Sequence, residues 1–170
     1  GSEPAVSNSP DGSLVEKGAQ GYVLRGSPTA TSISRTVTTC NASCGPTLAE
    51  FNGAKTAITK TLLGNAAMTD ADRTALIEWA RGVNNRGDEV DPDNLQLVAA
   101  TAMRPSAHGD VLHSRPVAIN YGSPFDDPPK VVVFYGGNDG VLRAVNGNRT
   151  ADIAGVPAGG LVVAAEAFRG

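Results

Sequence analysis

The sequence is poor in aromatic residues, which make up 5% of its 170 residues and include a single tryptophan. It has two cysteines, too few for a disulfide-rich scaffold, and no apolar run near the roughly twenty residues that a membrane helix needs. With a formal net charge of −3 it lacks a basic excess, so we expect neither nucleic acid nor an anionic membrane surface as a partner. What remains is a globular composition, 41% hydrophobic, in which 20 glycines and 11 prolines favour loops and tight turns.

The clearest local signal lies in residues 131–145, where two apolar runs are joined through Asn138, Asp139 and Gly140. Asparagine and aspartate tolerate a positive φ and glycine adopts it freely, so this segment predicts an antiparallel β-hairpin with Asp139 as a turn residue. The glycine-rich turn joins two strands and opens no helix, which excludes a phosphate-binding loop. Upstream, residues 109–120 alternate in polarity and predict a further strand.

Residues 69–82 carry the strongest helix signal, because Thr69 suits the N-cap and Gly82 suits a left-handed C-cap. Leu76, Trp79 and Ala80 share one face at helical spacing, and we expect Trp79 to anchor a core. Before the helix, residues 1–18 predict a loose entry segment, and residues 21–26 and 32–40 predict neighbouring strands. Residues 49–63 fit either a helix or an irregular segment.

The two cysteines, Cys40 and Cys44, lie close together after a β-branched stretch. In an oxidising compartment they would close a small disulfide loop. A zinc site is a second interpretation, with His108 and His113 as the remaining ligands far along the chain. Two inert thiols are the third.

Residues 83–94 form a polar, acidic loop that we interpret as a hinge between two halves of the chain. Ca²⁺ binds six to eight oxygen ligands, and the loop is rich in side chains that carry oxygen. We predict as its ligands Asp88, Asp91, Asp93 and Asn94. The spacing is not that of an EF-hand, since Leu95 stands where a further oxygen ligand is required. A solvated acidic turn without metal is the alternative interpretation.

The same loop contains the tripeptide Arg86-Gly87-Asp88, which has the sequence recognised by integrin-type receptors. Exposure in a loop would allow such recognition, although a three-residue motif arises often by chance. Asp88 would not easily serve a receptor and calcium together.

One cluster supplies the residue types of a nucleophile, a base and an orienting acid: Ser106, His108, Asp110, His113 and Ser114. These residues alternate along one loop and strand, whereas the members of a catalytic triad usually converge from separate parts of a chain. We therefore expect no enzyme, and we expect His113 to be a half-buried strand residue that donates to the backbone.

Residues 104–122 followed by the hairpin 131–148 resemble, as a unit, the first blade of the carboxy-terminal β-propeller of PilC/PilY-type proteins of bacterial type IV pili. Residues 11–18 and 76–82 are also similar to that family. The resemblance implies an exported, non-catalytic pilus-tip adhesin and pilus biogenesis factor that calcium modulates. Its implied location is the pilus tip, the cell surface, or the periplasm and outer membrane. Minor pilins or tip components and a host or abiotic surface would be its partners.

We thus predict a β-rich α+β fold with a leading β segment, a central helix and the β-hairpin of an incomplete β-propeller. Residues 1–94 would form a pre-propeller β/α segment that ends in the acidic loop, and residues 95–170 a truncated first blade. The exposed edge of such a blade predicts self-association.

Residues 161–170 depart from the aromatic strand that the family pattern implies, and codons read one nucleotide further on would fit it better. We therefore hypothesise a frameshifted or truncated gene product. Two other functions stay open. One is a fragment of a quinoprotein-like propeller enzyme, since such enzymes share the hairpin pattern, and the other is an inert remnant.

Overall fold

The computed structural model describes residues 20–21, 24, 37–40, 48–91, 95–156 and 166–168. In these ranges it has one long helix, α1, which spans Asp70–Arg81, and a short 3₁₀ turn at Pro105–Ala107. The strands are β1 (Val37–Thr39), β2 (Ala49–Glu50), β3 (Val117–Asn120), β4 (Val131–Gly136), β5 (Val141–Asn146) and β6 (Glu166–Phe168). No helix in the described ranges has the length and apolar composition needed to cross a bilayer.

All six strands form one sheet in the order β2-β1-β6-β5-β4-β3. Strands β3 to β6 pair consecutively and antiparallel, whereas β1 runs parallel to β6 and antiparallel to β2. The described residues are thus α+β and rich in strands, as predicted. Strand β6 falls within the segment for which we hypothesise a frameshift, and its backbone occupies the centre of the sheet.

The predicted hairpin is confirmed in β4 and β5. Gly140 adopts a φ of +76°, and the turn closes as its N–H donates to the carbonyl of Gly137 at 3.1 Å. Val133 pairs with Val145 and Phe134 pairs with Ala144 across the two strands. Each strand is buried at several positions and is paired on both sides, so the hairpin lies inside the sheet and is not an exposed flap.

Helix α1 confirms both predicted caps. The Thr69 hydroxyl accepts from the N–H of Asp72, whose carboxylate accepts in return from the Thr69 N–H, and Gly82 ends the helix at a φ of +109°. The predicted apolar face is correct only in part, because Ala80 packs against the core and Trp79 is half-buried, whereas Leu76 is not buried. Ile77 is the buried residue of α1 that packs with Val37, Phe51 and Ile58, and its buried neighbours along the helix are Arg73 and Arg81.

Other sequence-based boundaries also need correction. Gly21 and Leu24 are helical, so the strand predicted over residues 21–26 is wrong at these positions. Of residues 109–120, only Val117–Asn120 forms a strand, because glycine, proline and the contacts of the preceding loop interrupt the ladder. Residues 49–63 begin with β2 and continue in turns. Residues 1–18 and 32–36 lie outside the described residues.

Buried Arg73 fixes those turns to α1. Its guanidinium donates to the backbone carbonyls of Gly53, Lys55 and Ile58. From the same helix, the carboxylate of Glu78 accepts the N–H of Gly53 at 2.8 Å and pairs with Arg81 at 2.7 Å. Charged groups, and not only apolar contacts, therefore hold the segment after β2 in place.

Candidate functional site

An ion pair joins the turn of the hairpin to strand β5. Arg143 of β5 is fully buried and donates to both carboxylate oxygens of Asp139, with an Nη1 to Oδ1 distance of 3.1 Å. The same carboxylate accepts the backbone N–H groups of Gly109 and Val141. Burial alone would raise the pKa of Asp139, but the hydrogen bond and charge of Arg143 outweigh it and hold the pKa below its usual value. Asp139 is thus an ion-pair partner as well as the predicted turn residue.

Two glycines let the chain approach this pair closely. A Cβ on Gly137 would lie 2.6 Å from Asp139 Oδ1 and 2.9 Å from Arg143 Nη1. A Cβ on Gly109 would lie 2.6 Å from the backbone nitrogen of Asp139, and the Asn138 N–H donates to the carbonyl of Asp110 at 2.8 Å. The segment before β3 is therefore fastened against the turn.

The five residues considered for a hydrolytic site do not converge on one another in the structure. His108 is buried and its Nε2 lies 2.9 Å from the hydroxyl of Tyr135. The Ser106 hydroxyl donates to Glu89, and the Ser114 hydroxyl accepts the N–H of Gly136. His113 is exposed and lies outside the strands, so the prediction of a half-buried strand position is wrong.

The loop predicted as a hinge packs back on the residues that follow it. Val83 forms a β-bridge with Met103, and Val90 forms one with Leu97. Asn84 is buried, and its side-chain amide donates to the carbonyl of Val98 at 2.9 Å. Residues on both sides of the loop are thereby joined by backbone and side-chain hydrogen bonds.

Trp79 is half-buried and carries two cationic neighbours. The guanidinium carbon of Arg104 lies 4.1 Å from the centroid of the indole ring, and that of Arg86 lies 5.1 Å from it. Arg104 is buried and also pairs with Glu89 at 3.7 Å. The indole therefore contacts cations, a geometry that contributes about 0.5–2 kcal/mol for each cation, depending on burial. The predicted role of Trp79 as a core anchor does not include these contacts with arginine.

The predicted calcium ligands separate into two groups. Asp93 and Asn94 lie outside the described residues. Asp88 is exposed, whereas Asp91 is buried and its backbone N–H donates to the carbonyl of Gln96 at 2.9 Å. Within the ranges that the structure describes, no three His, Cys, Asp or Glu side chains are placed to hold a metal ion.

The tripeptide Arg86-Gly87-Asp88 lies in an exposed turn, in which Gly87 has a φ of +66° and its N–H donates to the carbonyl of Asn84 at 2.8 Å. The turn is held further by Asn85, whose amide donates to the carbonyl of Ala75 at 2.7 Å. Asp88 extends from a fixed turn, while Arg86 is engaged with Trp79.

Cys40 directly follows β1 and is disulfide-bonded. Cys44, the other cysteine of the sequence, lies outside the described residues. The predicted pairing of the two therefore stays a prediction.

An exposed surface to which the sequence analysis assigned no site residues begins at β3. All four residues of this strand are exposed, and the loop after it carries Phe125 with 93% of its surface exposed. That loop is held by hydrogen bonds from the N–H groups of Ser123 and Phe125 to side-chain oxygens. The signal for it in the sequence was Phe125, a lone aromatic residue that stands between a proline and two aspartates.

Comparison with protein-family models, with curated proteins and with solved structures gave no match. The pilus-protein resemblance therefore depends on the residues quoted for it above.

Proposed function

We propose that this chain is a fragment of a type IV pilus tip adhesin and pilus biogenesis factor, and that it acts by binding and not by catalysis. The observation that carries the proposal is the run of four consecutive antiparallel strands, β3 to β6, in chain order. Four antiparallel strands in chain order are the arrangement of a β-propeller blade, and in this sheet β1 and β2 continue beyond the run of four. The hairpin in the middle of this run is the segment that resembles the family.

The proposed mode of action is presentation of loops on a rigid sheet. The Asp139 and Arg143 pair fastens the turn between β4 and β5, and Asn146 fastens the loop after β5 by donating to the carbonyls of Ala151 and Val156. Loops held by buried hydrogen bonds lose little conformational entropy when they bind a partner. Minor pilins or other tip components, and a host or abiotic surface, are the partners that we propose.

The test is association with pili. The chain, fused to an export signal, would be produced in a piliated bacterium, and the pili would be sheared off and collected. We expect the chain to sediment with the pili, and we expect Val145→Asp, which places a charge in the buried hairpin, to abolish this. Ala54→Ser changes an exposed turn and serves as the matched control. A folded wild-type chain that stays in the supernatant would contradict the proposal.

Receptor binding through the exposed tripeptide is the part of this proposal that concerns host surfaces. Adhesion of integrin-bearing cells to the immobilised chain should fall when Asp88 is replaced by Glu, which keeps the charge but lengthens the side chain. Arg86 contacts Trp79, so a receptor competes with the indole for its guanidinium. Equal adhesion to wild type and Asp88→Glu would remove the tripeptide from the proposal.

The enzyme alternative makes a different prediction. A quinoprotein-like fragment should take up pyrroloquinoline quinone and gain its visible absorbance, whereas a binding module should not. An inert remnant should melt without cooperativity, which differential scanning calorimetry would detect.

A further inference from the structure

Strand β3 forms one end of the six-stranded sheet, and in the part of the chain that the structure describes it pairs only with β4. Its sequence, Val-Ala-Ile-Asn, contains no charge and no proline, and its register against β4 is one-to-one without a bulge. Charges, prolines and bulges are the devices that usually keep an edge strand from pairing with another chain. None of them falls within the four residues of β3, and Pro116 stands directly before the strand.

The backbone of β3 shows which groups are available. The Tyr121 N–H donates to the carbonyl of Lys130 at 2.9 Å, directly after the ladder between β3 and β4. Because backbone groups alternate in direction along an antiparallel strand, Val117 and Ile119 direct their N–H groups toward β4 as Tyr121 does. Ala118 and Asn120 therefore direct theirs away from the sheet.

The side chains beside this edge are apolar and exposed. Val117 and Ile119 lie on the same face, because side chains alternate along a strand, and they are 53% and 41% exposed. Tyr121 continues this face and contacts Phe134 of β4 edge-on, with ring centroids 6.3 Å apart. Phe125 lies beyond it in the loop fixed by its own hydrogen bonds.

We propose that β3 is a homodimer interface, in which two copies of the chain pair β3 to β3 antiparallel about a two-fold axis at Ile119, so that Ala118 of one copy lies opposite Asn120 of the other. This pairing directs the outward N–H groups of each strand to the partner copy and extends the antiparallel order of β4 and β3 across the axis. It requires only the edge and its flanking loops, so it holds whether or not the chain acts at a pilus.

The residues that flank β3 favour a second copy over an unrelated strand. Leu112, which is 71% exposed, precedes β3 by five residues, and Phe125 follows it by five. A two-fold axis at Ile119 therefore brings Leu112 of one copy to the same end as Phe125 of the other. Arg115 and Asp127, both exposed, come to that same end with opposite charges.

The first test is sedimentation equilibrium of the natural chain over a concentration series, together with Ala118→Pro and Ala118→Ser. Proline removes the outward N–H at a position where no bond to β4 is lost, whereas serine keeps it. We expect wild type and Ala118→Ser to dimerise alike, and Ala118→Pro to dimerise at least tenfold more weakly. A wild type that is monomeric throughout, or an unchanged Ala118→Pro, would overturn the proposal.

A second set of variants leaves the strand untouched, in case proline disturbs folding. Phe125→Ser should weaken dimerisation about tenfold, while Leu62→Ser, at an exposed leucine in another loop, should not change it. Arg115→Glu and Asp127→Lys should each weaken self-association, and an equimolar mixture of the two should restore it. Equal association of Phe125→Ser and Leu62→Ser, or a mixture no stronger than its components, would exclude this interface.

Discussion

Arg143 and Asp139 are four residues apart, and the guanidinium of the first holds both carboxylate oxygens of the second. Arg143 lies in β5 with none of its surface exposed, and Asp139 lies in the turn before that strand. Because a buried charge is costly without its partner, this pair fixes the turn and the strand together.

Removing one partner of this ion pair should lower the free energy of unfolding more than removing both. We expect Asp139→Ala to lower the free energy of unfolding by about 3–5 kcal/mol, since it leaves a buried guanidinium without its carboxylate. The double variant Asp139→Ala with Arg143→Met should lose less than Asp139→Ala alone. Urea denaturation followed by circular dichroism measures both. Equal losses would show that the charge itself carries no penalty.

The same pair predicts an acid-dependent stability. The pKa of Asp139 is lowered in the folded protein from an ordinary value of 3.8, so its contribution is present above that value and is lost as the pH falls below it. The stability difference between wild type and Asp139→Asn should therefore shrink as the pH is lowered from 6 to 3. A constant difference across this range, measured by thermal denaturation, would contradict the ion pair.

A further prediction concerns Trp79 and the two arginines that contact its ring. Trp79→Ala removes the ring beneath Arg104 and Arg86 and should cost about 2–3 kcal/mol, because both packing and cation–π attraction are lost. Trp79→Phe keeps a ring and should cost about half as much. As the protein has one tryptophan, its fluorescence should change in Arg104→Met. An unchanged spectrum would argue against the contact.

Helix α1 gives a prediction about its cap. Thr69→Ala removes the hydroxyl that accepts the Asp72 N–H and should cost about 1 kcal/mol, while Thr69→Ser keeps the acceptor and should cost little. Chemical denaturation of the two variants measures the difference. Equal stability of the alanine and serine variants would show that the cap contributes nothing.

Calcium binding can be tested at an exposed residue. We expect heat when Ca²⁺ is titrated into the wild-type chain, and its loss in Asp88→Asn, because Asp88 is exposed and its replacement leaves the packed parts of the loop intact. Mg²⁺, which demands a tighter octahedral geometry, should give less heat. A wild type that gives no heat would remove the predicted site.

The elements that the sequence predicted well are those encoded locally. Helix α1 is bounded by its own capping residues, and the hairpin is specified by a turn that contains Gly140 between apolar runs. The strand predicted over residues 109–120 forms only at its end, in β3, because its first part is fastened to the turn at Asp139, a contact between distant residues. The face of α1 was misjudged for a similar reason, since Arg73 is buried by carbonyls from another segment.

Some signals in the sequence could have identified the polar clusters. An arginine in the middle of an apolar strand, four residues after a turn aspartate, already indicates the pair of Arg143 and Asp139. No local pattern joins Arg104 to Glu89 and Trp79, because these residues meet only when the loop after α1 folds back. No local pattern predicts that the side chains of β3 are exposed either, because Val117 and Ile119 are residue types that usually occur in core strands.

By itself the sequence determined the helix, its caps, the hairpin and its turn, because each depends on backbone preferences and hydrogen bonds within a few residues. Only the tertiary structure decided that β6 pairs between β1 and β5 and that β3 lies at the edge of the sheet. It also decided that Arg104 is buried against Trp79 and Arg143 against Asp139. These depend on contacts between residues far apart in the chain, and burial is a property of the folded whole.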